Sequence, residues 1–488
     1  MPGGSRAAPE CARPLLPGYV AGPLEARHPP LRRELSALLR LALPLAVAQG
    51  GLALMGVVDS AVLGRAGPVP LAGTGLGNAL FLALSVFGIG VMMGLDPLVA
   101  QAAGAGQPVR ARRLLWQGVW LSLGVSAAVA VPTLAVPPLL VPLGIEPDVA
   151  AEAGRYLVWR LPGLPFALLY VSTRAYLQAG GHVRPIAISA LAANAVNVPA
   201  DLLLVFGGAS LPAWTGPLRA VPAMGAAGAA IATSLCMALQ AAVLARSAGA
   251  VPLGRPAAGL RAPDRAELRA AVRVGVPVGL HMGAEVGIFA LVGFLAGRLG
   301  AVPLAAHQIA IAVATLTFTV AVGVGAGGAV RVGWAVGARD REGARRSGLV
   351  AFGAGAAFMS LCALAFLAVP GPIARLLTDD PGVVAAAVPL LRVAALFQVS
   401  DGIQAVGAGV LRGAGETRYT FAANMVGHWA LGVPAAVLLG IVLGGGVTGL
   451  WWGFCIGLTV VAVSLLRRFL RISTGEIVPL SERARLAG

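Results

Sequence analysis

Two stretches, GRAGPVPLA at residues 64–72 and GRLGAVPLA at 297–305, decide how this chain is built. They stand 233 residues apart. The same offset, without a gap, sets Pro44 on Pro277 upstream, and Gly104, Ala105, Arg112 and Arg113 on Gly337, Ala338, Arg345 and Arg346 downstream. Self-similarity at one fixed offset across about seventy residues marks an internal duplication. Each copy must then be a structural unit in its own right.

Working outward from these stretches, apolar runs long enough to cross roughly 30 Å of hydrocarbon occupy about 36–64, 71–101, 114–144, 151–179, 184–207, 223–247, 268–299, 303–330, 346–370, 383–413, 417–444 and 446–471. That gives twelve spans, six in each copy. Because six is even, both halves begin and end on the same side, which makes a parallel repeat about an axis along the membrane normal. The expected fold is an all-α integral membrane protein of two six-helix bundles. Its expected divisions are a disordered cytoplasmic tail (1–35), an N-lobe (36–247), a cytoplasmic linker (248–267), a C-lobe (268–471) and a second cytoplasmic tail (472–488).

Composition agrees. The chain is 58% hydrophobic and 11% charged, with a mean hydropathy of +0.84, against roughly a quarter charged in soluble domains. Its net charge of +16 comes entirely from arginine, since there is no lysine. About 29 of the 36 arginines fall in segments on one side of the spans, and this bias places both termini in the cytoplasm and the chain in the inner membrane. The basic pI therefore indicates anionic lipid headgroups as partner and not nucleic acid. Cysteines at 11, 236, 362 and 455 form no CxxC pair and read as packing residues. No HExxH, GxSxG, Walker or dinucleotide motif is present, so neither an enzyme nor a cofactor is expected.

A carboxylate at the middle of a membrane helix costs about 2.5 to 3.5 kcal/mol on insertion scales, so one that persists faces a cavity or a partner. Glu285 in HMGAEVGIF and Asp401 in FQVSDGIQ stand mid-way along spans 7 and 10. They read either as a protonatable or cation-binding site or as halves of structural ion pairs with another span. Asp59 lies in span 1, and Asn194, Asn197 and Asp201 recur at intervals of three and four along one face of span 5. If Asp59 and Asp201 meet, the pair can carry a proton, while the two Asn serve equally well as interhelical contacts. His307 and Gln308 lie near the outer end of span 8, where a hydrogen-bonded structural histidine is the plainer reading. Gln49, Gln398, Gln404 and His428 are candidate supporting groups, with core hydrogen bonding as the alternative, and Asp96 is a helix-end or gate contact.

The strings LALPLAVAQGGLALMGVVDSAVLGR, VAQAAGAGQ, HMGAEVGIF, PLAAHQIAI and FQVSDGIQAVGAGVLRGAGETRYTF together resemble the multidrug and toxic compound extrusion (MATE) family, in its bacterial NorM-type branch. The resemblance runs from about residue 36 to 471. It implies efflux of organic, mostly cationic and amphipathic compounds by a monomer, driven by inward movement of protons or sodium ions. Glu285 and Asp401 match the acids of the family's C-lobe cation site, where sodium is one candidate occupant. Asp59 matches its N-lobe acid and Asn197 the Asn of its span 5 motif. Two positions depart from the pattern: Asp201 stands where relatives often carry Asn, and Phe397 where they often carry Tyr. The first adds an acid and the second removes a hydroxyl ligand for sodium, so both lean toward protons. A flippase for lipids or lipid-linked precursors is the alternative. Its cleft would need arginines for phosphate, and the arginines here are expected to avoid the span centres.

Overall fold

The computed structural model describes residues 30–209, 212–249, 259–475 and 477–486. Residues 1–29 of the expected tail and 250–258 of the expected linker lie outside the described residues. The N-lobe comprises α1 (Leu31–Ala66), α2 (Pro68–Met92), α3 (Leu95–Gly104), α4 (Pro108–Ala135), α5 (Pro137–Leu140), α6 (Pro147–Arg160), α7 (Leu164–Ala179), α8 (Arg184–Phe206) and α9 (Ala226–Gly249). The C-lobe comprises α10 (Arg265–Arg298), α11 (Ala301–Gly337), α12 (Arg341–Ala368), α13 (Pro370–Arg375), α14 (Pro381–Gly413), α15 (Thr417–Asn424), α16 (Val433–Val437) and α17 (Gly446–Ser473), followed by a short α18 (Leu480–Leu486).

Eleven described helical segments are long and apolar enough to cross a membrane. The twelfth expected span, 151–179, is present as α6 and α7 joined by a turn at Leu161–Gly163. Pro162 and Pro165 each remove a backbone donor and break the helix there, so neither piece reaches spanning length alone. Helix starts follow their capping chemistry: Asp264 accepts from the Ala266 and Glu267 amides, Asp340 from Gly343 and Asp380 from Val383. Two boundaries differ from expectation. The first helix begins at Leu31, not 36, because Glu34 is anchored to the other lobe, and the last segment folds into α18 instead of ending with span 12.

The duplication is visible atom by atom along the seam between lobes. GxxxG spacings at Gly90/Gly94 and Gly323/Gly327 are repeat mates, and spacings of this kind let helix backbones approach closely. A Cβ on Gly90 would collide with Gly279, and one on Gly323 would stand 2.7 Å from Ala46, the repeat mate of Gly279. Gly94 meets Ala271 and Gly275, while Gly327 meets their mates Leu38 and Ala42. Gly104 lies on the Trp334 carbonyl and Gly337 on the carbonyl of its mate, Gln101. Even the hydrogen bonds pair up: Trp334 Nε1 donates to Ala179 O and Gln101 Nε2 to Gly413 O, each at 2.9 Å.

All these contacts gather at the arginine-rich end of the bundle. There Arg331 of α11 donates twice to Glu34 of α1 (3.0 and 2.6 Å), Ser347 donates to the same oxygen at 2.7 Å, and Arg110 of α4 grips Glu267 of α10 at 2.7 and 3.1 Å. Trp334 and Val330 of α11 join the N-lobe core, and Leu38 and Ala42 of α1 join a C-lobe core. Toward the other end the apolar cores hold residues of one lobe only, and Gly50, Gly56, Gly75 and Gly283 have open space beside them. The lobes meet at one end and part at the other, leaving a cleft.

Candidate functional site

Each lobe carries a pair of acidic side chains in its parted half. In the N-lobe, Asp59 comes from α1 and Asp201 from α8, one turn beyond Asn197. Asn197 Nδ2 donates to Asp59 Oδ1 at 3.0 Å, and Thr233 of α9 shares its hydroxyl proton between Asp59 Oδ2 (3.0 Å) and its own helix at Ala229 O (2.9 Å). Asp201 lies beside Asp59, is 0% exposed, and has the Asn197 amide as its neighbouring donor. Asn194 has a different task, donating to Gly51 O and Ala190 O, both at 2.9 Å, and so tying α1 to α8.

In the C-lobe, Glu285 projects from α10 toward α14. Gln404 Nε2 donates to Glu285 Oε1 at 3.3 Å, and His281 Nε2 stands 3.6 Å from Oε2. Asp401, one turn before Gln404, is buried within electrostatic reach of Glu285. Beside this pair, span 11 runs as a π-helical stretch over Met425–Gly432, a deformation common at functional sites. The Trp429 indole pins that stretch by donating to Ala284 O at 3.2 Å. His428 is buried with both ring nitrogens unpartnered, and Asn424 is buried with both amide atoms unpartnered. Buried polar groups left open in this number belong beside a space that takes water or a polar solute.

The remaining candidates separate. Gln398 donates to Thr317 and so braces α14 against α11. His307 accepts from the Trp451 indole at 3.2 Å, with the rings 6.0 Å apart and edge to face, a structural arrangement. Gln308 is exposed and Gln49 half-buried, and neither joins either acid pair by a hydrogen bond. Asp96 stands 3.4 Å from Arg412 across the closed end, as a gate contact would. Buried Cys236 and Cys455 donate to Ala193 O (3.3 Å) and Val393 O (3.6 Å), as packing residues do.

Sequence reasoning missed Thr233 beside Asp59 and the unpartnered Asn424, and two charged or titratable residues besides. His281 precedes Glu285 by one helical turn, a spacing that puts both on one face, and that was the available signal. Arg160, counted by sequence with the seven arginines of the outer side, is the last residue of α6 and is only 9% exposed. The break at Pro162 ends α6 there and turns its last residue inward.

The relatives of this chain fit the geometry. Its sequence matches the MatE family model over residues 44–203 and 277–438, one match in each lobe. It is 36% identical over 466 residues to the multidrug resistance protein NorM of Burkholderia vietnamiensis, covering 93% of this chain and 97% of that one. It is 35% identical over 441 residues to a probable multidrug resistance protein NorM of Pseudomonas putida, covering 88% and 93%. Among solved structures, the outward-facing conformation of a multidrug resistance MATE family transporter of the MOP superfamily superposes with a TM-score of 0.80 at 20% identity, covering 90% of this chain and 96% of that one. With the matched regions spanning both lobes, the chain belongs to the MatE family of membrane transporters.

Proposed function

We propose that the protein is a secondary efflux transporter of the inner membrane that exports organic cationic or amphipathic compounds in exchange for an inward-moving ion, with both termini in the cytoplasm. The observation that carries this reading is the pair of acid clusters, Asp59/Asp201 and Glu285/Asp401, with Glu285 half-buried and the other three buried, on either side of a cleft closed at the arginine-rich end. That end faces the cytoplasm by the positive-inside bias, so this conformation opens to the outside.

Ionised carboxylates in the inward-open state hold a cationic solute. After the lobes rock, protons arriving from outside neutralise those carboxylates and the solute leaves. Ion and solute compete for one set of charges, a negative coupling that is reciprocal by linkage. Protons are favoured over sodium because Phe397 offers no hydroxyl and Asp201 adds a carboxyl suited to sharing a proton with Asp59. Dye transport in proteoliposomes, with a pH gradient and a sodium gradient imposed separately, tests this. Uptake is expected with the pH gradient, and uptake under neither gradient would end the antiporter reading.

A further inference from the structure

At the arginine-rich end, helix α1 presents three faces. Leu41 and Leu45 pack into the N-lobe core, and Leu38 and Ala42 into a C-lobe core. The third face carries two ladders that step by four residues and so run along one side of the helix. Arg32, Ser36 and Arg40 form the polar ladder, all three exposed, and Leu35, Leu39 and Leu43 form the apolar one. Together they line a groove of about 490 Å³. The ion pairs among the described residues involve neither guanidinium.

The duplication kept these charges. Its 233-residue offset carries Arg32 onto Arg265 and Arg40 onto Arg273, with Arg269 in the place of Ser36, and all three are exposed on α10. The same offset sets Asp59 on Val292, so the ladder outlasted an acid that the lobes do not share.

An occupant of the groove on α1 must be anionic at one end and apolar along its length. A second copy of the chain would set like guanidiniums against each other. Residues 1–29, with Arg6, Arg13 and Arg27 against Glu10 and Glu25, also bring net positive charge. The surrounding bilayer supplies a partner of the opposite sign, since anionic headgroups attract arginines at the membrane surface and the side chains of arginine snorkel to that depth. Eight residues separate Arg32 from Arg40, about 12 Å of helix, so the two long side chains can converge on a group beside Ser36.

We propose that this face of α1 is a binding site for one anionic phospholipid, with its phosphate held between Arg32 and Arg40 beside the Ser36 hydroxyl and an acyl chain along Leu35, Leu39 and Leu43. A phosphate accepts charge-assisted hydrogen bonds from both guanidiniums, and the leucines lead from the headgroup layer into hydrocarbon. The site stands apart from both acid pairs and does not depend on the efflux reading.

The test is native mass spectrometry of the full chain in a neutral detergent, titrated with phosphatidylglycerol and with phosphatidylcholine of matched chains. The wild type should prefer phosphatidylglycerol at least tenfold. Arg32→Gln plus Arg40→Gln should weaken phosphatidylglycerol about thirtyfold, from about fivefold for each membrane-surface arginine, and leave phosphatidylcholine within about twofold as a check on folding. Arg418→Gln plus Arg467→Gln, which removes two exposed arginines elsewhere at the same end, should leave phosphatidylglycerol within about twofold. Equal affinity of the wild type for the two lipids would overturn the proposal, and so would equal losses in the two double variants, which would reduce the effect to diffuse attraction. Displacement by glycerol phosphate at the lipid's own concentration would give the site to a soluble anion instead. A disulfide between Cys11 and Leu39→Cys that forms as readily with the lipid as without it would give the groove to residues 1–29, and a dimer lost in Arg32→Gln plus Arg40→Gln would give it to a second copy.

Discussion

Superposed by their 233-residue offset, the two lobes agree at the seam and disagree at the acids. Gly90, Gly94 and Gly104 have glycine mates at 323, 327 and 337, whereas Asp59 falls on Val292 and Glu285 on Leu52. Closure requires two backbones to touch at fixed heights, and only small residues at fixed registers permit it. An acid site requires only that a carboxyl reach the cleft, which several helix positions achieve. The duplicated part is therefore the hinge and closure machinery, and the two lobes carry different chemistry on one frame.

The sharpest contrast lies between repeat mates of the closed end. Glu34 and Glu267 are equivalent by the repeat, and each receives an arginine from the opposite lobe, but the Glu34–Arg331 side chains are 5% and 7% exposed and the Glu267–Arg110 side chains 14% and 25%. Arg331→Met should destabilise this conformation by about 3 to 5 kcal/mol by leaving a buried carboxylate alone, and Arg110→Met by about 1 kcal/mol or less. Accessibility of single cysteines on the arginine-rich face would report both; equal effects would mean the seam is not graded by burial.

The acid pairs are compared next. Removing the C-lobe charges with Glu285→Gln plus Asp401→Asn should lower gradient-driven transport roughly 100-fold, near the upper end of coupling between two sites. Asp59→Asn plus Asp201→Asn should lower it about tenfold, with the C-lobe still cycling. Equal losses would show that the lobes act as one site. At the seam itself, Gly90→Ala and its mate Gly323→Ala should each cost about 1 to 3 kcal/mol of overpacking, read as matched falls in thermal stability. A drop at one position only would break the symmetry argument.

The smallest effect concerns the arginine-rich edge of the C-lobe. Burial pushes the Glu416 carboxyl up, but Arg468 (2.6 Å) and Arg483 (2.9 Å) outweigh it and hold the group below its ordinary value of 4.5. Stability from a depressed carboxyl is fully present above that ordinary value and is lost as pH falls through the folded one. Docking of α18 should therefore be flat from neutral pH down to about 5 and loosen only in stronger acid, with Glu416→Gln removing the dependence. Limited proteolysis of the last segment across pH checks this.

Much of the frame was legible in sequence. The glycines of the seam and the prolines at 44 and 277 cannot vary freely, so the duplication survives in the letters, and spans show through because lipid demands apolar length. The acids stood out because charge is rare at membrane depth. Other features depend on three-dimensional neighbours. Pro162 and Pro165 announce a kink but not that it turns Arg160 inward, and the unpartnered state of His428 and Asn424 exists only once α10, α14 and span 11 are packed. The inter-lobe role of Trp334 was hidden because an indole at a helix end usually suggests the lipid interface.

Helix α18 lies across the junction: the Leu480 amide donates to Gln101 Oε1 of the N-lobe at 2.8 Å, while Arg483 holds Glu416 of the C-lobe. These few residues thus act as a clasp with one end in each lobe. Rocking the bundles apart on that side must undo one of its ends, so a solvatochromic label on this segment would report each turnover as a blink, far from the path of any cargo.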